Sequence, residues 1–91
     1  MNIFLSPQVS DKRIEYTFDG EIITATMGEQ FDTFDLTVFP EDGEFDGIET
    51  TLPIVPILSV TRKDGELSVI LLNPITSNAT ESERFPEWTV V

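Results

Sequence analysis

The chain contains no cysteine and no histidine, and only five Lys and Arg stand against seventeen Asp and Glu. Each absence removes a class of chemistry. Without cysteine there is no disulfide framework, no thiolate nucleophile and no Cys-ligated zinc or iron–sulfur cluster. Without histidine the commonest general base and metal ligand is missing. The net charge of −12 and the pI of about 4.1 leave no basic face to neutralise phosphates or grip an anionic bilayer. No nucleic acid and no membrane are therefore expected as partners. No apolar run approaches the roughly eighteen residues of a membrane-spanning helix. The start, Met1-Asn2-Ile3-Phe4-Leu5-Ser6-Pro7, has no basic stretch before its short apolar run, so no secretory signal is expected.

What is present points to a folded core. Of 91 residues, 40% are apolar and seven are Phe, well above what a disordered acidic chain carries. The length predicts one small domain over residues 1–91, with an acidic loop at 41–51 and a C-terminal arm at 74–91. A cytoplasmic location is the accompanying expectation.

Two segments carry clear β-hairpin signals. Arg13 to Phe18 alternates polar and apolar, reaches Asp19-Gly20, and returns through Glu21 to Met27. A two-residue Asp19-Gly20 turn predicts Tyr16 opposite Ile23 and Ile14 opposite Ala25, sharing a face with Phe18. The same turn puts Ile22 beside Thr17 on the wet face. Ile57 to Lys63 meets Asp64-Gly65 and returns through Glu66 to Leu72. Here the turn pairs Lys63 with Glu66, Val60 with Val69 and Leu58 with Leu71. Arg62 is expected to lay its stem across Leu67 with its head in water. This hairpin is expected at the centre of the fold.

A weaker strand, Phe34 to Val38, follows a turn near Gly28-Glu29 and is expected to stop at Pro40. A short strand at Asn2–Leu5 is expected as well. Residues Asn78 to Arg84 can form one helical turn capped by Asn78 or Thr80, which would also account for the glycosylation-like Asn78-Ala79-Thr80. No segment sustains a 3.6-residue apolar period. The fold class is mainly β: a small antiparallel sheet, or a partly open barrel or sandwich, built on two Asp-Gly hairpins with at most one short helical turn.

The chemistry-bearing residues are few. Glu41, Asp42, Glu44, Asp46 and Glu49 crowd the acidic loop, and Asp42 to Gly47 looks like the opening of a calcium loop. The match fails at the third position, Glu44, and at the twelfth, where Pro53 replaces the closing Glu. Weak binding of a hard cation is all that such a cluster offers. Asp32 with Asp35, and Asp42 with Asp46, are the nearest carboxylate pairs, but nothing marks an apolar pocket to raise one pKa. No catalytic residue, metal ligand or cofactor site is assigned, and the chain is not expected to be an enzyme. Phe85 and Trp88 stand out in the arm, because Trp is a frequent interface anchor. The competing reading folds the arm back as an added strand or lid.

The order of short motifs resembles one family. Leu5-Ser6-Pro7-Gln8, Gly28-Glu29 with Phe31-Asp32, Asp42-Gly43 and Leu52-Pro53 are followed by Val60, Asp64-Gly65-Glu66-Leu67, Leu71-Leu72, and Asn78 ahead of Phe85-Pro86. This is similar to small, acidic proteins of uncharacterised function encoded by tailed phages and prophages among their tail genes. The segment Phe31-Asp32-Thr33-Phe34-Asp35 departs from the shorter Phe-Asp-Phe of that family. The resemblance implies a non-enzymatic protein acting through protein–protein contacts, in tail assembly or as a minor, virion-associated tail component. Leu5, Pro7, Phe85 and Trp88 are the expected contact residues, with a phage tail or host protein as partner and the chain itself a monomer or weak homodimer. The alternative is a host-directed inhibitor, including an acidic DNA mimic whose carboxylates imitate phosphates.

Overall fold

The computed structural model describes residues 1–45 and 47–91. Asp46, placed by the sequence in the acidic loop and in a pair with Asp42, lies outside the described residues. Seven strands and one helical turn follow in order: β1 (Asn2–Val9), β2 (Glu15–Asp19), β3 (Ile22–Met27), β4 (Gln30–Asp35), β5 (Ile57–Lys63), β6 (Glu66–Ile75), α1 (Glu81–Arg84) and β7 (Thr89–Val90). They form a mixed four-stranded sheet, β5-β6-β1-β7, and an antiparallel three-stranded meander, β2-β3-β4. The fold is mainly β, as its alternation predicts.

The β5–β6 hairpin is the centre. Asp64 and Gly65 both take positive φ, 55° and 80°, as a type I′ turn demands. Lys63 faces Glu66 and Val60 faces Val69 as expected. Beyond Ser59 a β-bulge shifts the register, so Ile57 rather than Leu58 faces Leu71, and Leu58 turns out to solvent. The extra residue lets the strand leave the sheet after Pro56, whose carbonyl accepts from the Leu72 amide at 2.8 Å. Leu67, Val69 and Leu71 from alternate positions of β6 are almost fully buried.

The first hairpin keeps its faces but not its register. Asp19 pairs with Ile22, so the turn residues are Gly20 and Glu21. Gly20 supplies the positive φ, 60°, at the first central position, the requirement of a II′ turn. Phe18 therefore meets Ile23, and Tyr16 meets Ala25. The slip is two residues, which preserves side-chain parity, so the apolar set still faces inward. Ile22 faces Asp19 and Asp35 rather than Thr17.

The third strand of the meander starts and stops earlier than the composition suggests. A second tight turn at Gly28-Glu29 pairs Met27 with Gln30. At the far end the Asp35 carboxylate accepts from the Thr37 amide and hydroxyl, and this side-chain turn ends β4 before Pro40 is reached. Strand β1 is eight residues long rather than four and runs parallel to β6, from Asn2 opposite Ser68 to Val9 opposite Ile75. Parallel neighbours come from distant chain segments, and nothing local in either strand signals the pairing.

One apolar core joins the two sheets. Ile3, Val60, Leu67, Val69 and Leu71 meet Ile14, Ile23, Ala25, Met27 and Phe34, while Leu36 and Leu52 close the core from the connecting loops. Two polar ties fasten the layers. The Tyr16 hydroxyl donates to the Leu72 carbonyl. Arg62 is the second tie, and its head is not in water: its side chain is only 13% exposed.

All five guanidinium donors of Arg62 are matched. Nε donates to the Phe39 carbonyl, Nη1 to Glu21 Oε2 and the Gly65 carbonyl, and Nη2 to Glu21 Oε1 and the Leu36 carbonyl. The bidentate pair with Glu21 spans the two sheets.

The acidic loop is partly structural. The Glu41 carboxylate accepts from the backbone amides of Asp64 and Gly65, capping the I′ turn. At the other end of the loop, Asp32 of β4 accepts from the Thr50 hydroxyl at 2.8 Å and the Thr51 amide at 3.2 Å. Helix α1 begins in a reciprocal capping box between Thr80 and Glu83, so Thr80 is the cap and Asn78 is not.

Candidate functional site

Asp32 and Asp35, the carboxylate pair that the described residues include, are not placed for joint acid–base work. Asp32 and Asp35 lie three apart on a strand and so point to opposite faces. Both are held below the ordinary carboxylate range, Asp32 first by the Thr50 hydroxyl and Asp35 first by the Thr37 hydroxyl. A general acid needs the opposite shift. Glu21 is lowered by the Arg62 guanidinium, and Glu83 by the Thr80 amide and hydroxyl. Among the described residues no three potential metal ligands gather at one point. Burial raises the Tyr16 phenol, which keeps it a neutral donor to Leu72.

The arm provides the notable surface. Strand β7 adds antiparallel to β1, with Ile3 opposite Thr89 and Asn2 opposite Val90. The folded-back reading of the arm therefore describes its last residues. Just before them Trp88 lies on the outer face of the sheet, its ring 5.4 Å from that of Phe4 and tilted by 43°. Phe85 follows α1 and is 74% exposed, while Trp88 keeps 53% of its surface in solvent despite the Phe4 contact.

Leu5, Phe85 and Trp88 line one surface depression of about 620 Å³, with Glu81, Glu87 and Thr89 around them. The fourth expected contact residue, Pro7, sits farther along β1 opposite Asn73 and does not line it. A second hollow of about 340 Å³ lies on the inner side of β1. Ile3, Leu5, Tyr16, Phe18, Asn73 and Val91 line it, where the edges of the two sheets part. Leu5 and Thr89 border both hollows.

Sequence reasoning missed Phe4, Glu81, Glu87 and the whole inner hollow. Alternation along β2 marks Tyr16 and Phe18 as inward, which is the only signal that could have found them. Asn73 carries no such signal, because its place depends on the parallel pairing with Pro7. Among the described residues no helix is long and apolar enough to cross a membrane. Comparison with protein-family models, curated proteins and solved structures finds no match to this chain.

Proposed function

We propose that the chain is a non-enzymatic interaction domain of a phage or prophage, working in tail assembly or as a minor tail component. The resemblance in motif order supplies the setting. The observation that carries the contact role is the convergence of Leu5, from the first strand, with Phe85 and Trp88 of the arm on one exposed depression of mixed polarity. Exposed aromatic anchors beside a hollow are the usual energetic centre of a protein interface. Folding leaves much of the Phe85 and Trp88 surface in water, so its removal from water remains as a driving force for binding.

The test is co-purification with the tail proteins of the same phage. Point substitutions are required, because deleting residues 85–91 removes β7 and uncovers Ile3. The double variant Phe85→Ala, Trp88→Ala is expected to retain its circular dichroism spectrum and to lose capture of its tail partner at least tenfold. Unchanged capture by the folded variant overturns the proposal.

A further inference from the structure

The open edge of β1 borders both hollows and, among the described residues, is paired only at Asn2 and Ile3. Met1 and Val91 exchange backbone hydrogen bonds, Val91 N to Met1 O at 3.0 Å and the Met1 amine to Val91 O at 3.3 Å. In an antiparallel ladder such exchanging pairs alternate, so Ile3 turns its N–H and C=O toward Thr89, Leu5 and Val9 turn theirs the same way, and Pro7, which has no N–H, turns only its C=O. Strand β7 stops at Thr89. Among the described residues no backbone bond reaches the outward groups of Leu5, Pro7 or Val9, whereas Ser10, of opposite parity, donates to Ile75 of β6. Open edges of this kind are templates for another strand.

We infer that this edge accepts an extended, basic segment of the partner protein as an added β-strand. Alternate side chains of such a strand meet the two hollows. One set enters the inner cleft with Tyr16, Phe18 and Asn73, and the other lies on the outer side with Trp88. Main-chain bonds to Leu5 and Val9 supply affinity, and the hollows supply specificity for apolar side chains. Charge selects the occupant. Glu81 and Glu87 border the outer hollow, and none of Lys12, Arg13, Arg62, Lys63 and Arg84 lines either hollow. A second copy of this chain is a poor occupant because it also carries −12. Pro7 disfavours it further: a two-fold pairing centred there sets two residues without N–H opposite each other.

The inference rests on the proposed contact surface and adds its binding mode, so the test separates the two. A displayed library of random heptapeptides is selected against the intact protein. The expected winners alternate apolar residues with Lys or Arg. Bound peptide slows hydrogen exchange at the Leu5 and Val9 amides. N-methylating one alternate set of peptide amides weakens binding at least tenfold, and methylating the other set changes it less than twofold. Val9→Pro, which deletes an outward N–H at an exposed strand end, is expected to melt as the parent does and to bind at least tenfold more weakly.

Absence of any selected binder, selection of acidic or non-alternating peptides, or equal effects of the two methylations overturns strand addition. A homodimer protected at Leu5 and Val9 overturns the basic occupant. If tail-protein capture requires Phe85 and Trp88 but survives Val9→Pro, the contact surface stands and strand addition falls.

Discussion

Arg62 illustrates how much a single side chain carries here. In the sequence it is one of three polar residues before a turn, expected to keep its head in water. In the fold it binds three chain segments at once: the β2–β3 turn through Glu21, the segment after β4 through Leu36 and Phe39, and its own turn through Gly65. Lysine presents three donors from one point and cannot reproduce that fork. Arg62→Lys is therefore expected to lower the denaturation midpoint and leave carbonyls of Leu36 and Phe39 without their donor. The pair also has a pH signature. Glu21 has its folded pKa depressed below 4.5, so its contribution is complete above that value and is lost as pH falls through the folded pKa. Glu21→Gln should lower stability at pH 7 and narrow the difference between pH 7 and pH 3, measured by urea unfolding. Tyr16→Phe, which removes only the bond to the Leu72 carbonyl, is expected to cost about 1 kcal/mol.

At the scale of elements, turns and bulges decide what alternation leaves open. Both Asp-Gly pairs read alike, yet one places both residues in the turn and the other places only Gly20 there. The Asp64-Gly65 turn is held by the Glu41 carboxylate, a contact over more than twenty residues. Gly20 needs positive φ with open space around the position a Cβ would take, so strain alone opposes substitution. Gly20→Ala is expected to cost about 1–2 kcal/mol. D-alanine at the same position, introduced by chemical synthesis, should restore most of that loss. Recovery with the D residue checks the turn assignment, because a D residue favours the positive φ that an L residue disfavours and the L methyl has open space around it.

For the whole molecule, two features dominate: a thin shared core and a large negative charge. Leu71 lies at the junction of β5, β6 and β1 with no exposed surface, and Leu71→Ala is expected to cost about 2–5 kcal/mol. For a domain of this size that is a large share of the usual 5–15 kcal/mol. Self-repulsion at −12 acts across the molecule and is sensitive to screening. Raising NaCl from about 0.01 M to about 0.1 M shortens the screening length from roughly 30 Å to roughly 10 Å. The Tm at pH 7 is expected to rise over that range, since the partly buried Arg62–Glu21 pair is screened less than the exposed carboxylates.

The sequence by itself determined the β class, the two hairpins, and which face of each turns inward. Those properties depend on period-two alternation and on local turn chemistry, both of which lie within a dozen residues. It also singled out Leu5, Pro7, Phe85 and Trp88 as expected contact residues, of which the fold gathers all but Pro7 around one depression. Only the tertiary structure decided that β1 runs parallel to β6, that Arg62 is one of the ties between the sheets, and that β7 stops short of Leu5. Each of these joins residues more than twenty positions apart, and each depends on which partner competes best for a strand edge or a cation. That competition is settled by the packing of the whole core, which no local pattern encodes.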